Sequence, residues 1–90
     1  MYDQVTIKLF GTAGCPDCEK QKEILNSLPY SYNFYDIDSE DEAELLECLA
    51  YEVDTIPMLV VIKERDEKKK FFRYSGILAG HKIEEFIQKI

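Results

Sequence analysis

The sequence predicts an α/β fold in the order β-α-β-α-β-β-α, with a mixed four-stranded sheet and helices on both of its faces. Three patterns predict it. Val5–Phe10 and Tyr32–Ile37 alternate along their length and flank a helix-periodic stretch, which is a β-α-β unit with a parallel pair and a right-handed crossover. Met58–Ile62 is a continuous apolar run, the pattern of a central strand covered on both sides. A charged turn and a returning strand then make a hairpin, which adds antiparallel pairing.

Each element has a local reason. In the first strand Val5, Ile7 and Leu9 point one way, Thr6 and Lys8 the other, and Phe10 closes it. Gly11–Gly14 is a loop. Pro16 suits a first helical turn, where its missing N–H is no loss, so a helix is predicted from about Pro16 to Leu28. Cys18, Gln21, Leu25 and Leu28 form its core stripe, with Ile24 beside them. Ser39 reads as the N-cap of a second helix, and acid from Asp38 to Glu42 suits the positive end of its dipole. Leu46, Leu49, Ala50 and Val53 are predicted as that helix's core stripe. Glu64–Lys69 reads as the hairpin turn and Phe71–Tyr74 as the returning strand. Gly76–Gly80 links to a last helix with Ile83, Phe86, Ile87 and Ile90 as its stripe.

The 90 residues predict one domain, 1–90, without linker, repeat or low-complexity tract. A net charge of −7 argues against nucleic-acid binding, which needs clustered Lys and Arg. Asp36 to Asp54 holds nine carboxylates and no Lys or Arg, whereas Lys63, Arg65, Lys68, Lys69, Lys70, Arg73, Lys82 and Lys89 make the end of the chain basic. Both clusters read as solvated faces. The N-terminus has none of the regions of a signal peptide, and Met58–Ile62 is too short to span a bilayer. The expectation is a cytoplasmic monomer with no membrane or nucleic-acid partner. In that compartment structural disulfides are rare, so a close Cys pair is catalytic or metal-binding.

That pair is Cys15-Pro16-Asp17-Cys18, placed where a strand and loop give way to a helix. Thiol–disulfide exchange needs a thiolate, an accessible sulfur and a second sulfur that closes the ring. Cys15 at the helix start faces unpaired N–H groups, which lower a thiol pKa from about 8.5. Cys18 lies three residues on, within disulfide reach, and on the core stripe. Cys15 is therefore the expected nucleophile and Cys18 the resolving thiol. Asp17 opposes the Cys15 thiolate, while Lys20 and Lys22 partly offset it. Pro16, Asp17 and Lys20 thus tune the pair towards a reductant. Closed zinc needs four ligands, and only Cys48 and His81 remain, neither in a paired motif, so no metal is expected. A cluster bridged between two subunits stays as an alternative.

The strand followed by Gly-Thr-Ala-Gly-Cys-Pro-Asp-Cys and a helix resembles the front of glutaredoxins and small thioredoxin-like proteins. The segment from Tyr51 through Thr55-Ile56-Pro57 to Ile62 resembles the strand that opens with a cis proline in the thioredoxin family. Gly76 before an amphipathic helix resembles the thioredoxin ending. The resemblance spans nearly the whole chain and implies a thioredoxin-like fold. It also implies that the Ile56–Pro57 bond is cis beside Cys15, and that Thr55 and Ile56 pair their backbone with an extended substrate. The implied activity is thiol–disulfide exchange on proteins without a cofactor, with electrons from a reductase or from glutathione. The alternatives are a glutathione-dependent glutaredoxin, a cluster carrier, or a redox-inactive interaction domain.

The sequence also departs from both families. Gly14 stands where thioredoxins place Trp, and Ile7-Lys8-Leu9-Phe10 lacks the acid they bury. Asp17 stands where glutaredoxins usually carry Tyr, and Gly76–Lys82 lacks the Asp of their glutathione loop. The chain reads as glutaredoxin-like in front and thioredoxin-like behind. Cys48, opposite the leucine stripe among Glu44, Glu47 and Glu52, is expected to be a partly exposed, sluggish thiol. His81 is expected in solvent at the last helix's start. Tyr74 and Phe72 are candidates for a groove rim.

Overall fold

The computed structural model describes residues 4–89. The elements are β1 (Gln4–Gly11), α1 (Pro16–Asn26), β2 (Asn33–Asp36), α2 (Glu42–Ala50), β3 (Met58–Arg65), β4 (Lys68–Ser75) and α3 (Gly80–Lys89). The sheet order is β2-β1-β3-β4. β1 runs parallel to β2 (Leu9 opposite Phe34) and antiparallel to β3 (Phe10 opposite Met58), and β3 runs antiparallel to β4 (Met58 opposite Ser75). This is the mixed four-stranded sheet that the sequence predicts.

The alternation of β1 and β3 divides the core. Ile7, Leu9, Leu59 and Val61 meet Leu25 of α1 and Ile83 and Ile87 of α3 on one face. Phe10, Met58, Val60 and Ile62 lie on the other, against Tyr35, Cys48, Tyr51 and Val53. Both faces of β3 are covered, which is why Met58–Ile62 carries no polar residue.

Several local expectations are corrected. α1 stops at Asn26, because Ser27 takes the cap position, its N–H and its hydroxyl both donating to the Ile24 carbonyl while the Leu28 N–H donates to the Leu25 carbonyl. α2 is capped by Asp41, not Ser39. The Asp41 carboxylate accepts the Ala43 N–H at 3.0 Å, and Ser39 Oγ accepts the Asp41 N–H at 3.0 Å, so Ser39 shapes the turn before the cap. The hairpin turn is not Glu64–Lys69. β3 and β4 continue to Arg65 and Lys68, and only Asp66 (φ 49°) and Glu67 (φ 68°) turn. Two positive φ angles give the twist that matches a right-handed hairpin. Phe86 is 39% exposed and stacks on Phe72, with ring centroids 4.0 Å apart. That stacking holds Phe72 with α3. Ile90, expected on the same stripe, lies outside the described residues.

The largest correction concerns α2. Three of the four residues of its predicted core stripe face solvent: Leu46 is 59% exposed, Leu49 73% and Ala50 is exposed, while Val53, beyond the helix end, packs on the Phe10 cluster, and no α2 residue is fully buried. The half-buried side is Glu44, Glu47 and Cys48. The cause is Lys8, which β1 directs to this face. Its Nζ lies 2.6 Å from Glu47 Oε1 and 4.9 Å from the centre of the Tyr51 ring. A half-buried ammonium needs a carboxylate more than the sheet needs two leucines, so the helix turns Glu47 inward. Burial, the largest single influence, lowers the Lys8 pKa, but Glu47 and Tyr51 together outweigh it and the net direction is upward.

Candidate functional site

β1 and β2 run parallel, so the loop after β1 leaves the C-terminal end of the strand pair, and β3 begins at that same end. Cys15 and Pro57 are thereby brought to one end of the sheet. Gly14 adopts φ 84°, a conformation that favours glycine, just before Cys15.

Cys15 is the N-cap of α1 (φ −91°, ψ 110°), and Pro16 opens the helix. Its sulfur accepts the Cys18 N–H at 3.2 Å, and its carbonyl accepts the Glu19 N–H at 3.1 Å. A thiolate at this position meets both the helix dipole and a direct N–H donor. The Cys15 and Cys18 sulfurs lie at disulfide distance, with Cα atoms 5.2 Å apart. Cys15 is half-buried, whereas Cys18 has 0% exposure. Asp17 and Glu19 load the first turn with negative charge. Lys20 is exposed. Lys22 is engaged elsewhere, 3.3 Å from Glu19 and 3.9 Å from the centre of the Phe34 ring.

The Ile56–Pro57 peptide bond is cis. Thr55 is exposed, Ile56 half-buried and Pro57 buried. The Pro57 carbonyl accepts the Gly76 N–H at 2.8 Å, tying the start of β3 to the loop after β4. Tyr74, 38% exposed and opposite Leu59, shares its side of β4 with Phe72, which packs under α3.

Two residues of the site were not singled out from the sequence. Gln21 is the one buried polar side chain among the described residues. It accepts the Leu78 N–H at 2.7 Å and donates to the Leu78 carbonyl at 3.1 Å. It therefore clamps the Gly76–Gly80 link onto α1 one turn from Cys18. A lone amide within an apolar stripe was the available signal. Gly11 supplies room: a Cβ there would stand 2.6 Å from Cys18 Sγ. No sequence pattern marks it.

Cys48 packs against the Phe10 cluster on the inner side of α2. Burial first, then Glu44 and Asp36, push its pKa up. The acidic neighbours read from the sequence contribute to that rise, but burial is its main cause. His81 is exposed at the start of α3. No helix among the described residues is long and apolar enough to cross a membrane.

Comparison with known proteins agrees with this geometry. A glutaredoxin family model matches residues 7–65. The search of curated proteins finds no match. Among solved structures, a chloroplastic thioredoxin z superposes with TM-score 0.76 at 17% identity, covering 96% of this chain and 77% of that one. A thioredoxin from Trichomonas vaginalis gives 0.70 at 23% identity, covering 94% and 78%. A thioredoxin from Plasmodium falciparum gives 0.72 at 19% identity, covering 99% and 73%. These likenesses establish the thioredoxin-like fold.

Proposed function

We propose, from the premise that this chain belongs to the glutaredoxin family, that it is a dithiol thiol–disulfide oxidoreductase acting on disulfides of other proteins. The observation that carries this reading is the unequal burial of two cysteines held one helical turn apart, one half-exposed as the N-cap and one at 0%. The Cys15 thiolate attacks one sulfur of the substrate disulfide. That bond breaks, the leaving thiolate takes a proton, and Cys15 becomes a mixed disulfide. Cys18 then loses its proton and attacks Cys15 Sγ. The second substrate thiol leaves, and the enzyme holds a Cys15–Cys18 disulfide. Two electrons from a protein reductase or from glutathione restore the dithiol. We assign the substrate backbone to Thr55 and Ile56 beside Pro57, as a strand-like addition. The working compartment is the reducing cytoplasm.

Cys15→Ser is expected to abolish insulin reduction, and Cys18→Ser to accumulate a mixed disulfide on Cys15, located by mass spectrometry. Faster iodoacetamide labelling of Cys18 than Cys15 in the reduced protein would reverse the roles. The family match favours a second reading, glutathione-coupled turnover. The loop before α3 lacks the expected Asp, and its Leu78 is bound to Gln21. We therefore expect reductase-coupled insulin reduction to outpace a glutathione-coupled mixed-disulfide assay on the same preparation. The opposite ranking selects the second reading.

A further inference from the structure

The two halves of the site ride on different elements. The dithiol belongs to the start of α1, and the Thr55–Pro57 segment leads into β3. Pro57 stands one residue beyond the last ladder pair, Met58 opposite Ser75, and has no N–H to offer. Its carbonyl accepts the Gly76 N–H at 2.8 Å, so the link after β4 holds that end of β3.

The link has neither helix nor strand from Gly76 to Ala79, so its anchors set its position. Gly76, at φ 104°, turns the chain out of the ladder. Two residues on, within about 7 Å of chain, Leu78 is buried. Both of its backbone polar groups bond to Gln21: the N–H donates to Oε1 at 2.7 Å, and the carbonyl accepts from Nε2 at 3.1 Å. Gln21 has 0% exposure and follows Cys18 by one turn of the same helix. Hydrogen bonds therefore connect the dithiol helix, through Gln21, Leu78 and Gly76, to the Pro57 carbonyl.

The surroundings of Gln21 are apolar, with Leu25, Leu78 and Ile83 in the same core. Burying an amide there costs desolvation that an apolar side chain avoids. What the amide adds is direction. Two bonds to one residue fix both the height and the rotation of the link against α1, which apolar contact alone leaves loose.

We infer that Gln21 is a positioning residue of the exchange reaction, setting the Pro57 end of β3 against the Cys15 sulfur. This role rests on the dithiol exchange proposed for the chain. A protein disulfide must meet Cys15 and the Thr55–Ile56 backbone together, so a shift of one against the other slows it. A small disulfide needs only the sulfur.

The test compares two substrates and two amides. Gln21→Met keeps the side-chain length and removes both bonds. It is expected to lower kcat/KM for reductase-coupled insulin reduction about tenfold, and to leave the single-turnover rate of reduced Cys15 with hydroxyethyl disulfide within about twofold. Amide exchange of the reduced wild type, followed by NMR, needs no variant. The Gly76 and Leu78 N–H groups are expected to be protected and to open together, with matching dependence on urea. In Gln21→Met, exchange at Gly76 is expected to speed up about tenfold more than at Leu59 in the central ladder. Independent opening of the two amides in the wild type overturns the inference. So does insulin reduction unchanged by Gln21→Met, or an equal loss with both substrates, which would place the effect on the dithiol or on general stability. A wild type inert towards insulin overturns the proposed exchange on proteins instead, and the amide data still decide whether Gln21 holds the Pro57 end.

Discussion

Placing a methyl group on Gly11 tests whether the resolving sulfur is sterically held. The Cβ of Gly11→Ala would lie 2.6 Å from Cys18 Sγ, 3.1 Å from Cys18 Cβ and 3.3 Å from Phe34 Cε1. Favourable heavy-atom separations begin near 3.5 Å, so the shortest contact is about 1 Å too close. Neither side gives way easily. Gly11 is in register opposite Asp36, and its carbonyl accepts the Ile37 N–H at 2.9 Å. Cys18 is wholly buried on a helix clamped through Gln21. Overpacking of this kind costs about 1–3 kcal/mol. Removing a glycine from a strand returns about 0.5–1 kcal/mol. The clash wins, with a net loss of up to about 2.5 kcal/mol and a Tm lowered by about 4–8 °C per kcal/mol. The assay is thermal and urea unfolding under reductant, so that the disulfide does not enter. A double-mutant cycle adds specificity: Cys18→Ala removes the nearest atom, so Gly11→Ala is expected to cost at least about 1 kcal/mol less in that background. Equal or greater stability of Gly11→Ala, or a coupling near zero, refutes the steric argument.

Three further outcomes follow from the same geometry. Gln21→Leu leaves the Leu78 N–H and carbonyl unpaired and is expected to cost about 2–4 kcal/mol in urea unfolding; a loss within experimental scatter would show the clamp to be idle. Asp17→Asn removes a carboxylate from the first turn and should lower the Cys15 pKa in a thiolate-absorbance titration; an unchanged or higher value contradicts the assigned role of Asp17. Cys48 should alkylate far more slowly than reduced Cys15 at neutral pH. Because its folded pKa is raised, its thiolate is disfavoured in the native state, and stability should fall as pH rises past the unfolded thiol value near 9. A Cys48→Ala variant that keeps the same alkaline loss would assign that loss to another group.

The parts of the molecule that were legible in the sequence depend on local pattern. The alternation of Val5–Phe10 and the apolar run Met58–Ile62 placed the central strands, because a covered strand has no other composition open to it. Cys15 at a helix start was readable because Pro16 fixes where the helix begins. The errors are tertiary. Leu46 and Leu49 carry the spacing of a core stripe, but a lysine nearly forty residues earlier decides which side of α2 turns inward. Ser39 and Asp41 are both good caps, and only the path of the chain chooses between them. Gly11 matters through an atom seven residues away, and Gln21 through a loop 57 residues away. Separations of that kind leave no periodic trace.

The pairing of β1 with β3, Gln4 opposite Glu64, also orders the events of folding. The β3–β4 hairpin closes through two residues and can zip locally, whereas β1 finds its partner only after a loop spanning most of the chain has closed. Strand β1, which leads into the cysteines, can pair with β2 first, but its other edge waits for β3 as its template. During synthesis β3 emerges well after Cys15 and Cys18, so both thiols leave the ribosome before the strand that anchors them. A nascent chain in an oxidising setting would expose two neighbouring thiols during that interval.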